Sequence, residues 1–248
     1  MRGVRRLRGV PRVTTPWVWN ARARRWQGAA GTKYAGKFIG PAKLKDLRDT
    51  FIQGQLGAVD LLGQRLAEGE LTIQSWERDM RSHLKTVYQA EYLLARGGQQ
   101  AMTRSDYGRL GGLLRWQYQY LHDFAAEVQA GQLSERAIIA RAQLYVHSAT
   151  QAHEQGKCAA WGVRPPHVPG DGSTQCKVNC KCYLEIREDS EVWHVYWRRT
   201  ADESCDTCVE RSQTWNPLDI AKPLARSRRS LRRVLTRLTG QRVRLHAS

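Results

Sequence analysis

The residues best suited to chemistry are the cysteines, and all six lie between Cys158 and Cys208. Cys176, Cys180 and Cys182 sit in the segment GDGSTQCKVNCKCYLEI, and Cys205 and Cys208 in ADESCDTCVE. A C-x-x-C pair lets two thiolates face one ion across a tight turn. A C-x-C pair does the same along a strand, where residues i and i+2 share a face. Two such pairs, about two dozen residues apart, predict a tetrahedral four-cysteine zinc site formed by Cys180, Cys182, Cys205 and Cys208. Cys176 can replace one of the first pair, because C-x-x-x-C spacing also serves. Four sulfur ligands leave no open position, so such a Zn2+ would hold a fold together rather than catalyse.

Other chemistries of the same residues stay open. Disulfides or free thiols are one, although an odd cluster pairs badly and nothing marks the chain as secreted. Redox chemistry is another, but a redox C-x-x-C normally opens a helix in a βαβ setting, which the pattern does not show. Cys158 stands apart at a helix exit and reads as a small buried hydrophobe. His153, His167 and His194 read as polar or packing residues rather than ligands. Walker phosphate loops, G-x-G-x-x-G, G-x-S-x-G and H-E-x-x-H are absent, and the acids are scattered singly or in short solvated runs. The expectation is a protein that is not an enzyme.

Charge is placed unevenly along the 248 residues. Residues 1–45 carry twelve Lys/Arg and no acid, and residues 222–248 carry nine Lys/Arg and no acid. The stretch 46–221 therefore holds nineteen basic against twenty-three acidic residues, and the surplus of +17 lies in the two ends. Cationic ends on a middle of ordinary charge point to a polyanion or an acidic protein surface as partner. Binding to nucleic acid through them would be salt-sensitive and indifferent to sequence. No apolar run approaches the length of a membrane span, and the arginine-rich start lacks the apolar segment of a signal peptide.

The elements that must position the cysteines can be read in order. Residues 1–40 interleave arginines with Trp17, Trp19, Trp26, Tyr34 and Phe38 and are punctuated by Gly and Pro. No period persists, which predicts an extended basic arm. Arg22, Arg24, Arg25 and Trp26 are its candidate contacts with nucleic acid or a protein partner. The same tryptophans could instead pack on the protein's own body. Residues 41–156 show helical periodicity. Helices are expected from Pro41 to Gly69, from an N-cap at Thr72 to Gly97, from a capping box at Thr103/Asp106 to Gly131, and from Leu133-Ser134 to about Gly156. Short links between them argue for an antiparallel helical domain. Residues 157–218 form the cysteine-bearing unit, with strands at Cys180–Arg187 and Val192–Trp197 pairing as a hairpin. So small a unit holds little apolar area, which is the physical reason to expect a metal staple. Residues 219–248 read as a basic amphipathic helix or tail, with Arg228, Arg229, Arg232 and Arg233 as candidate contacts. The fold class expected is mainly α: an antiparallel helical domain, a small zinc-stapled β-hairpin module, and extended basic arms at both ends.

Two stretches carry a resemblance. GDGSTQCKVNCKCYLEI resembles the P-G-x-G-x-x-x-C-x-x-N-C-R-C signature of the minor head, or head-morphogenesis, proteins of tailed bacteriophages, including the type found in phage Mu. Lys181 stands where that signature usually has arginine. SCDTCVERSQTWNPL resembles a C-x-x-C-L-x-x-A…W-x-P segment of the same proteins, which in the Mu type comes ahead of the N-C-R-C rather than after it. The likeness covers roughly residues 60–220 and suggests a divergent branch. It implies a structural component of the virion, made in the host cytoplasm. Its partners would be portal and capsid proteins and, through the arms, packaged DNA. It would be oligomeric within the particle and carry no membrane attachment. The alternative on the residues alone is a stand-alone zinc-containing nucleic-acid-binding protein.

Overall fold

A computed structural model describes residues 17–200 and 204–223. Its larger part is helical: α1 (Pro41–Ala67), α2 (Ile73–Arg96), α3 (Arg104–Gln129), α4 (Glu135–His147) and α5 (Thr150–Trp161). Their starts follow local chemistry. Pro41 opens α1, where its missing N–H removes no bond. The Thr72 hydroxyl accepts from the Ser75 amide at 3.2 Å, Thr103 and Asp106 close a reciprocal capping box, and Ser134 caps α4. Gly97, at φ 105°, ends α2 in the left-handed region.

Helix α2 lies at the centre, against α1, α3 and α5. Trp76, Met80, Leu84, Val87, Tyr88 and Tyr92 follow one another at helical steps and are all buried. They interlock with Leu110, Leu114, Leu121 and Phe124 of α3, with Ile138, Ala142, Tyr145 and Val146 of α4, and with Val59 and Leu62 of α1. Among the described residues no helix is long and apolar enough to cross a membrane.

The last expected helix is two. The chain breaks between α4 and α5 because Ser148, buried against α2, spends its hydroxyl on the Tyr145 carbonyl and the Tyr88 hydroxyl, both at 2.7 Å. A side chain bonded to nearby backbone competes with the helical ladder, and here it coincides with the turn. Gly156 is not a stop but lies inside α5. A Cβ there would come within 2.6 Å of the Tyr92 carbonyl oxygen, so glycine is what lets α5 press against α2. The helix ends instead at Gly162, at φ 73°.

Residues 17–40 are not an extended arm. Trp17–Asn20 (β1) and Arg25–Gly28 (β2) pair antiparallel with Trp19 opposite Trp26. Asn20 closes the turn by accepting from the Ala23 amide at 2.9 Å. The hairpin is held down from outside: Trp26 Nε1 donates to the Leu94 carbonyl at 3.0 Å, and the Trp19 ring lies where a Cβ on Gly97 would sit. Strands of four residues cannot stand alone, so these contacts account for their order.

The cysteine-bearing part folds as the expected hairpin with two additions. Tyr183–Glu188 (β3) and Val192–Arg198 (β4) pair with Leu184 opposite Trp197. Leu218–Ala221 (β5) returns antiparallel to β4, and Asp206–Thr214 (α6) packs against β4. A second apolar cluster forms here from Cys180, Cys182, Leu184, Ile186, Val195, Trp197, Cys208 and Trp215, together with Cys158 and Val163 from the end of α5. Helix α5 also grips the outer edge of β3. The buried Glu154 carboxylate accepts from the Leu184 amide at 2.9 Å, while Lys157 Nζ donates to the Leu184 carbonyl at 2.9 Å and to Glu154. The expected helix at the C-terminal end, with Arg228, Arg229, Arg232 and Arg233, lies outside the described residues, as do residues 1–16.

A cysteine cluster as candidate metal centre

The turn at Gly170 and Gly172, both at φ 82°, begins the site. Asp171 organises it, accepting from the Val168 amide at 3.0 Å, the Ser173 amide at 2.9 Å and the Ser173 hydroxyl. Residues 177–179 then make one turn of 3-10 helix that sets Cys176 and Cys180 on either side of it. Beyond Cys180 the chain extends toward β3, and Cys180 and Cys182 ahead of the strand and Leu184 and Ile186 within it are buried at alternate positions, as the C-x-C spacing requires. From the other segment, Cys205 stands at the N-cap of α6 and Cys208 lies in its first turn.

The two segments meet at Cys208. Its sulfur is 3.7 Å from that of Cys176 and 3.7 Å from that of Cys180. Cys176, Cys205 and Cys208 lie mutually within 4.8 Å, as do Cys180, Cys182 and Cys208. A zinc–sulfur bond of about 2.3 Å puts the corners of a regular tetrahedron about 3.8 Å apart. The closest separations are therefore those of ligands around one ion, and far longer than the roughly 2.05 Å of a disulfide. All six cysteines are free. The cluster can hold a metal ion.

The clustered thiols differ in how readily they ionise, and burial holds Cys176 above the ordinary thiol value. Hydrogen bonds from the Cys182 thiol and backbone amide, working against burial, pull the Cys180 thiol down to about 5. Burial opposes ionisation of Cys205, but amides of Cys208 and Cys176 outweigh it and hold its pKa below the ordinary thiol value. Cys182 is pushed up by its bond to Cys180 and by burial, and Cys208 by burial and the neighbouring Cys180 charge. One negative sulfur beside another neutral one is what a cation drawn into the cluster would relieve.

The site rests on residues that the sequence did not single out. Thr174, buried, has its hydroxyl 3.3 Å from the Cys176 sulfur. Gln175 accepts from the Asp206 amide at 3.1 Å and ties the two segments together beside the ligands. Arg211 of α6 reaches back to the Ser173 hydroxyl at 2.8 Å and lies over the Trp197 ring at 5.0 Å. Such outer bonds fix the orientation of ligating side chains. The spacing C-x-x-C plus three, placing Arg211 one turn after Cys208, is a signal only once α6 is known.

The other candidates fall elsewhere. Cys158 is buried in the apolar cluster, and burial pushes its thiol up to about 12. His153 faces Glu91, His167 faces Asp171, and His194 is held between Asp219 and Asp189. Arg24 lies over the Trp161 ring at 4.3 Å and pairs with Glu188, and Arg25 lies over Phe38 at 4.8 Å. With Trp26 seated on α2, these three serve contacts inside the chain, while Arg22 is exposed at the hairpin turn. In comparisons with protein-family models, curated proteins and solved structures, nothing matches the chain.

Proposed function

We propose that the protein is a structural minor head protein of a tailed bacteriophage. Its cysteine module would be closed by one zinc ion, and its cationic ends would contact packaged DNA, portal or capsid. The observation that carries the reading is the meeting of the PGDGSTQCKVNCKC turn with the SCDTCVE helix start at Cys208, which brings both signature-like stretches to one point. Cys176, Cys180, Cys205 and Cys208 are the ligand set we favour, since two chelating pairs then each supply one side of the tetrahedron. Cys182 would lie beside them as a fifth sulfur, within 4.8 Å of those of Cys180 and Cys208. Bound there, zinc supplies charge neutralisation and cross-linking, not catalysis. The module would then be a rigid docking piece for the basic ends. The charge of those ends also favours a second reading, a stand-alone zinc-containing nucleic-acid-binding protein.

The experiment has two arms. Protein purified without added zinc is expected to carry about one equivalent per chain. Particles of a phage encoding it are expected to contain the protein cross-linked to portal or capsid. Absence from purified particles, with tight DNA binding by the isolated protein that falls steeply as salt rises, would transfer the reading to the second.

A further inference from the structure

Five sulfurs gather where a zinc ion uses four, and they are not equivalent. Cys180, Cys182 and Cys208 are 3%, 5% and 1% exposed, whereas Cys176 and Cys205 are half-buried. The sulfurs of the inner three lie mutually within 4.8 Å. Among the described residues no fourth Cys, His, Asp or Glu donor stands that close to all of them. Leu184, Ile186, Val195 and Trp197 join them in one apolar cluster. Such walls hold off the water that would otherwise complete a four-coordinate zinc ion. With metal–sulfur bonds of about 2.3 Å, three sulfurs in one plane with their ion stand about 4.0 Å apart. The Cys180–Cys208 separation of 3.7 Å and the 4.8 Å limit on the other two bracket that triangle.

We propose that this inner triangle of Cys180, Cys182 and Cys208 is a second metal site, which takes the soft monovalent ion copper(I) in three-sulfur coordination. Thiolates select soft ions, and closed-shell copper(I) is satisfied by three of them where zinc takes four ligands. Cys180 and Cys208 belong to both ligand sets, so the two ions exclude one another. When copper(I) holds these two sulfurs, zinc loses half its ligands. Cys182 decides between the ions, because the zinc set favoured above leaves it out and the copper(I) set requires it. Its thiol gives up a proton on ligation and copper stays in the +1 state, so no oxidant or reductant is consumed. The exchange of one ion for the other rests on the zinc reading; the three-sulfur site itself does not.

The full chain, titrated without oxygen against copper(I) buffered by bathocuproine disulfonate, is expected to hold the first equivalent and to release about one equivalent of zinc. X-ray absorption at the copper edge is expected to show three sulfur neighbours. Cys182→Ser is expected to weaken copper(I) binding at least about 100-fold, since even the groups behind a ligand are worth about 10- to 100-fold. Its zinc content and the amide protection of β3 and β4 are expected to stay at the wild-type level. Cys176→Ser and Cys205→Ser are expected to do the opposite, losing zinc and keeping copper(I). Copper(I) surrendered entirely to the chelator overturns the proposal. So does copper(I) held by two or four sulfurs, or copper(I) binding lost as fully in Cys176→Ser and Cys205→Ser as in Cys182→Ser. Should Cys182→Ser fail to fold, the sulfur count and the two outer variants still decide. Protein that arrives without zinc yet passes these copper(I) tests would sink the zinc reading alone.

Discussion

The helical body and the cysteine module solve the same problem with different materials. The body closes over large interlocking side chains: Trp76 meets Phe124 edge-on at 5.4 Å, and Tyr88, Tyr92 and Met80 fill the space around them, all fully buried. The module has one comparable ring pair, Trp197 against Trp215 at 5.5 Å. Much of the rest of its interior is small, and Cys180, Cys182 and Cys208 occupy positions where the body would place leucine or phenylalanine. Apolar burial stabilises in proportion to area, so a sheet of three short strands gains far less from it than a stack of long helices. Where area runs short, sulfur stands in its place.

If a metal completes the module, the two regions should fail separately. The largest effect is expected from Cys208→Ser, which removes the sulfur common to both groups of three: zinc content falls to near zero, and amide exchange opens β3, β4 and α6 while α2 stays protected. Trp76→Ala tests the other side. It should lower stability of the body by about 3–5 kcal/mol in urea unfolding while zinc content is unchanged. Melting of both regions together in either variant would show that they are one cooperative unit. A finer contrast lies inside the module. Cys205→Ser is expected to reduce metal content sharply and Cys182→Ser to leave it near one equivalent, by elemental analysis; the reverse order would move the ligand set to Cys180, Cys182 and Cys208 with a different fourth group.

The smallest effect concerns pH. Hydrogen bonds to Asp219 and then Asp189 raise the His194 pKa above its ordinary 6.5. Its contribution is therefore complete below the unfolded value and is lost as pH rises through the folded one. The excess of wild-type module melting over that of His194→Gln is expected to shrink as pH rises above about 6.5.

How much of this was legible depended on where the deciding contacts lie. Helix starts at Thr72, Thr103 and Ser134 were readable because a cap bonds only three residues ahead. The break at Ser148 was not, because its partner Tyr88 stands 60 positions away. The β1–β2 hairpin escaped for the same reason: its seat on Leu94 and Gly97 belongs to another part of the chain. In the site, spacing identified which cysteines could chelate. It did not reveal that Cys176 would approach Cys208 as closely as Cys180 does, since that follows from the left-handed Lys177 and the clasp between Gln175 and Asp206. Strand β5 and helix α6, of four and nine residues, are too short for periodicity to mark them.

The grip of Glu154 and Lys157 on Leu184 has a consequence for assembly. An open sheet margin invites foreign chain to zip onto it. Here the β3 margin is bonded near its start, at Leu184, by a carboxylate and an ammonium from the molecule's own helix. A chain that lengthens this sheet meets fewer obstacles at β5, the other margin.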